Sequence, residues 1–173
     1  MSSVTQVNQQ LSGTTNRAGK YLTFALGKEE YGLEILKVRE IIGYMDITAV
    51  PRTPGYVKGV INLRGQVISV VDLRAKFGME SVTRTDQTCI IVVDIQQNGR
   101  RLNTGIVVDR VSEVLSIAAD KIEDAPAFDS SVKIDFILGM GKIGDSVKIL
   151  LDIDKVLNAA EVIELDAVTK QAA

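Results

Sequence analysis

The chain has no histidine, no tryptophan and a single cysteine among its 173 residues. Without histidine there is no Ser-His or Cys-His arrangement, and most zinc sites are excluded as well. The side chain best poised for proton transfer near neutral pH is also missing. The one thiol, Cys89 in "TCIIVVDI", rules out a disulfide framework and fits a reducing compartment. Set in a β-branched run, it reads as a small buried hydrophobe. No stretch of 18 apolar residues occurs, so no helix is expected to span a membrane. The first residues, "MSSVTQVNQQLSGTTNRAGK", lack the apolar core of a signal peptide. The chain therefore reads as cytoplasmic. Basic and acidic side chains number 20 and 22, so the basic excess of a nucleic-acid binder is absent too. "GMGKIGD" at Gly139 lacks the ending of a phosphate-binding loop. These absences argue against an enzyme, a metal and a cofactor.

What is present is a pattern written twice. "GLEILKVREII" from Gly32 matches "GIVVDRVSEVL" from Gly105 at an offset of 73. "GVINLRGQVISVVDL" from Gly59 matches "GMGKIGDSVKILLDI" from Gly139 at an offset of 80. The difference places about seven extra residues between Ser116 and Phe136 of the second copy. Two similar halves are expected, roughly 19–84 and 85–160, after a flexible tail over 1–18. Residues 161–173 are expected to form a C-terminal helix or tail.

Each half reads as all-β. Hairpins are predicted around Gly27-Lys28-Glu29-Glu30, at Asn98-Gly99 and at Arg64-Gly65. "KVREII" fits a helix face as well, but its β-branched content favours a strand. Many short strands point to barrels, which leave no long open edge. Helix is confined to short pieces beginning at Asp72 and Asp152, whose carboxylates suit an N-cap.

Three sets of residues are candidates for chemistry or contact. Asp72 and Asp152 are matching carboxylates in a duplicated β protein, the arrangement of an aspartic hydrolase. The Asp-Thr-Gly context is missing, and capping explains both. Arg64 stands at the tip of an apolar hairpin with no acidic neighbour in sequence. It is either a solvated turn residue or a contact whose five N–H donors are free for a partner molecule. Val38, Glu40 and Ile41, with their second copies Val111, Glu113 and Val114, read as core plus solvated charge, or as a contact strand.

Taken together, "EEYGLEILKVREIIGY", "TPGYVKGVINLRGQVISVVDLRAKFG", "GIVVDRVSEVL" and "ILLDIDKVL" resemble the bacterial chemotaxis coupling proteins, the CheW family. The resemblance runs from about Tyr21 to Leu157. It implies two five-stranded SH3-like barrels packed side by side, and an adaptor without catalytic activity or cofactor. Such adaptors link the cytoplasmic tips of methyl-accepting chemoreceptors to the regulatory domain of the histidine kinase CheA, in arrays beneath the membrane. Carried over position by position, the resemblance implies receptor contacts at Val38, Glu40, Ile41, Gly59, Asn62 and Arg64. Gly105, Val111 and Val114 border the same groove or support it. Phe128 is the implied kinase or ring contact. Glu123 and Ala127 depart from the charges usual near that loop. A similar scaffold in a non-motility pathway is the alternative, with a hydrolase using Asp72 and Asp152 the more distant one.

Overall fold

Two stretches of the chain, "YLTFAL" and "CIIVVDI", are apolar without alternation, as expected of strands covered on both faces. In the computed structural model, which describes residues 17–126 and 135–158, both are such strands. Strand β6 (Cys89–Gln97) turns Ile90 and Val92 into a core with Ile61, Ile68, Val70 and Val107. Its opposite face turns Ile91, Val93 and Ile95 into a second core, shared with Leu22, Phe24 and Leu26 of β1 (Gly19–Leu26). That second cluster draws on both sheets and is the largest of three. The sheets thus share their main core, and each has a smaller interior of its own.

The remaining strands are β2 (Glu29–Glu34), β3 (Val38–Gly43), β4 (Val57–Leu63), β5 (Gln66–Asp72), β7 (Arg100–Val108), β8 (Arg110–Ile117), β9 (Ile122–Glu123), β10 (Ile137–Ile143) and β11 (Ser146–Leu151). They form a five-stranded sheet, β3-β6-β7-β5-β4, and a six-stranded sheet, β8-β1-β2-β11-β10-β9. In the first, the chain leaving β3 returns so that Thr48 bridges Val60 of β4 and closes the sheet into a barrel. In the second, β9 continues β8 beyond a 3-10 turn and pairs with β10, which accounts for the sixth strand.

The expected division into halves at residues 84 and 85 is corrected by this pairing. Residues 38–108 build the five-stranded barrel, while β1 and β2 join β8 to β11 in the other sheet. Each sheet takes two strands from one repeat and the rest from the other. The registers agree across the exchange. Ile41 faces Ile91 as Val114 faces Leu22, and Gly105 faces Val70 as Gly32 faces Leu150. Because the two copies present equivalent edges, either pairing would satisfy the same backbone groups. Internal similarity therefore reveals the repeat but not its partner.

Local expectations fare well. "KVREII" is a strand. The Arg64-Gly65 and Asn98-Gly99 turns have positive φ at both central residues, the type I′ geometry that suits a two-residue hairpin. Asp72 accepts a bond from the Arg74 N–H (3.0 Å) at the start of the helix Leu73–Lys76. Asp152 accepts one from the Lys155 N–H (3.2 Å) at the start of a helix over 153–158. Cys89 is only partly buried, and burial pushes its thiol above the usual range. Of the expected tail, Arg17 and Ala18 are described. Arg17 is pinned to the sheet by the Asp124 carboxylate (2.8 Å) and the Leu138 carbonyl (3.1 Å). The rest of the tail, the C-terminal residues 161–173 and Phe128 lie outside the described residues.

Candidate contact face at the junction

β3 and β4 are at opposite ends of their sheet's strand order, yet closure of the barrel brings their side chains together. Along β3 the side chains alternate. Val38, Glu40 and Ile42 are partly covered, whereas Arg39 and Ile41 point to solvent. Val38 packs against the shared core. Ile41 is 45% exposed, high for an isoleucine in a strand.

Arg64 is not bare, contrary to the sequence expectation. Its two terminal nitrogens donate to the two carboxylate oxygens of Glu40 at 2.7 and 2.5 Å. The partner lies 24 residues earlier in the chain, on another strand, where inspection of neighbouring residues does not find it. The hydrogen bonds from Arg64 hold the Glu40 carboxyl below the usual carboxylate range. Nevertheless the Arg64 side chain is 69% exposed, against 24% for Glu40. The bidentate pair uses two of five guanidinium N–H groups and leaves three for another acceptor. Glu40 thus fixes the direction of an exposed cation.

The backbone beneath this pair is unusual. Arg64 has φ of 53°, in the left-handed region that glycine and asparagine tolerate best. The turn is held by Asn62, whose Oδ1 accepts the Gly65 N–H at 2.8 Å. Gly59 is buried with φ of 143°, directly against the Thr48 carbonyl on the closing segment. Asn62 is exposed; Gly59 supports the face from beneath.

From the second repeat, Val111 is partly buried on the shared core and Val114 is 49% exposed. Cys89 pairs with Gly43, and its thiol lies close enough to the Val111 backbone to feel it, so the start of β8 lies near the end of β3. The start of β1 pairs with the end of β8 and packs against the turn that leads into β3. β3 and β8 therefore run in opposite directions along one side of the junction. Gly105 is elsewhere. It is buried in the barrel interior, where a Cβ would meet Ile90 at 2.7 Å, so it serves strand packing and offers no surface.

Sequence reasoning overlooked two ion pairs that tie the sheets together. Arg74 of the "DLR" motif grips Asp109 through two bonds of 2.8 and 2.7 Å. Lys37 meets Asp154 at 2.8 Å. Arg74 and Asp154 are equivalent under the offset of 80, a signal the sequence did contain. An apolar cavity of about 420 Å³, lined by Tyr31, Phe77, Met79, Phe136 and Val156 among others, touches none of the candidate contact residues.

Comparison with known proteins adds to this geometry. The CheW-like domain family matches residues 20–161. The chemotaxis protein CheW of Klebsiella aerogenes is 43% identical over 151 residues, covering 87% of this chain and 89% of that protein. The chemotaxis protein CheW of Thermotoga maritima is 32% identical over 83% of this chain and 90% of its own length. Among solved structures, the scaffolding protein TtCheW from Thermoanaerobacter tengcongensis is similar, with a TM-score of 0.72 and 33% identity. The match covers 82% of this chain and 93% of that one.

Proposed function

The chain belongs to the CheW-like domain family, and from that premise we propose that this chemotaxis adaptor couples chemoreceptors to the histidine kinase CheA. The receptor's helical tip would lie along the face where β3 and β8 flank the junction. The observation that carries this reading is the Glu40–Arg64 pair: an exposed guanidinium held by a carboxylate, with Ile41 exposed on the same strand. Apolar contacts with Ile41 and Val114 would supply burial for an amphipathic helix, and the three remaining Arg64 donors would fix its register. Val38, Gly59, Gly105 and Val111 act beneath that surface by holding its strands. Asp72 and Asp152 each cap a different helix, which accounts for both carboxylates without catalytic chemistry.

The kinase side is assigned to the regulatory domain of CheA, with Phe128 a contact carried over from the family. The working site is the cytoplasm, beneath receptors in the membrane. Among the described residues no helix is long and apolar enough to cross a membrane. The test is a bridging assay. A soluble receptor-tip fragment and the CheA regulatory domain should co-elute on gel filtration with this protein present and not in its absence. Co-elution that was independent of the protein, or a binary complex with only one partner, would contradict the adaptor role.

A further inference from the structure

Each crossover between the sheets is fastened to a short helix, but the two fastenings differ. The second crossover, between β7 and β8, is gripped tightly. Arg74 holds Asp109 with two bonds, and Asp109 also accepts the Gly27 N–H at 2.7 Å. Arg74 further donates to the Glu80 carbonyl at 2.8 Å, and its side chain is largely buried. The first crossover, Ile35–Lys37 between β2 and β3, is held by Lys37 through one bond to Asp154. The neighbouring Leu36 is 92% exposed, so packing of that side chain does little to hold the turn. The Glu34 carboxyl there lies within reach of Asp152 and Asp154 as well as Lys37. Burial and the two aspartates hold the Glu34 carboxyl above its usual range.

Asp154 does more than meet Lys37. Its other oxygen accepts the Gln96 N–H at 3.0 Å, and Asn158, one turn further along the helix, donates to the Gln96 carbonyl at 2.9 Å. Gln96 lies in β6 beyond Val93, the residue opposite the first residue of β3. The helix therefore takes up the edge of β6 where β3 has not yet begun. One carboxylate holds both the turn that feeds β3 and the edge on which β3 starts.

We propose that Asp154 is a positioning residue for the receptor-contacting strand, setting the start of β3 through Lys37 and Gln96 without touching the receptor. The proposal rests on the receptor reading given above. The looser of the two fastenings is the one that leads directly into Val38, Glu40 and Ile41. Releasing it shifts those side chains while leaving the Arg74–Asp109 tie and the shared core in place.

The test compares the full chain with Asp154→Asn, Asp154→Glu and Lys37→Met. Asparagine keeps an oxygen for the Gln96 N–H but loses the charge that holds Lys37; glutamate keeps the charge. Without any partner, amide hydrogen exchange over residues 37–42 should speed up about fivefold in Asp154→Asn and Lys37→Met, and less in Asp154→Glu. Exchange over residues 108–113 should not change. Affinity for a receptor-tip fragment should fall about fivefold in Asp154→Asn and recover in Asp154→Glu, while affinity for the CheA regulatory domain stays at the wild-type value. Unchanged exchange over 37–42 would overturn the latch. Faster exchange with unchanged receptor affinity would overturn the positioning role. A wild-type chain that failed to bind the receptor fragment would overturn the receptor reading, and this proposal with it, even if the exchange results stood.

Discussion

Gly59→Ala should unfold the five-stranded barrel or destabilise it by on the order of 3–4 kcal/mol, measured by chemical denaturation. A Cβ at this position would overlap the Thr48 carbonyl oxygen and lie 2.7 Å from its carbon. Those are backbone atoms, fixed by two bonds of 2.9 Å between Thr48 and Val60 that close the barrel. The φ of 143° adds strain for any residue with a side chain. Relief requires the closing segment to move, which breaks both bonds and uncovers the core beneath. The equivalent glycine, Gly139, is a useful contrast. Its closest obstacle is a methyl of Ile122 at 2.6 Å, a side-chain atom, and no positive φ is involved. Gly139→Ala should cost less. Loss of receptor binding in a Gly59 variant would follow from loss of the fold, so kinase binding should fall in parallel.

Arg64→Asn should leave the fold intact and weaken receptor binding by about 30-fold, read by calorimetric titration with a receptor-tip fragment. Asparagine suits this test better than alanine. At φ of 53° alanine would strain the turn, whereas asparagine tolerates the left-handed region. The thermal midpoint should therefore hold close to the wild-type value. Both partners of the lost ion pair lie at the surface, where screening limits its contribution to stability. Glu40→Gln should act in the same direction with a smaller effect, by freeing the guanidinium to sample other directions. An unchanged affinity in Arg64→Asn would remove Arg64 from the receptor site.

The fold was legible in the sequence wherever the signal was local. Asn98-Gly99 and Arg64-Gly65 between apolar runs specified hairpins, and Asp72 and Asp152 specified helix starts, because turns and caps depend on adjacent residues. The doubled apolar strands, "YLTFAL" and "CIIVVDI", carried a further message. A strand buried on both faces must lie between two layers, and here the second layer is the other sheet. Which repeat supplies the partners was not legible, since Ile41 on Ile91 and Val114 on Leu22 are equivalent pairings. The Glu40–Arg64 pair was hidden for a related reason. It depends on barrel closure through Thr48 and Val60, a non-local event that the immediate surroundings of Arg64 do not encode. Gly105, carried over as bordering the groove or supporting it, is packed inside the barrel against Ile90 and Val70, a close approach between strands that the sequence alone does not display.

The most direct measurement is a backbone amide NMR titration of the labelled full chain with an unlabelled receptor-tip fragment. The largest perturbations should fall at Val38 to Ile41, Asn62 to Gly65 and Val111 to Val114, with the Asn98-Gly99 turn unaffected. Perturbations centred on β7 and the Asn98-Gly99 end of the barrel, with β3 and the Arg64 turn silent, would contradict the account.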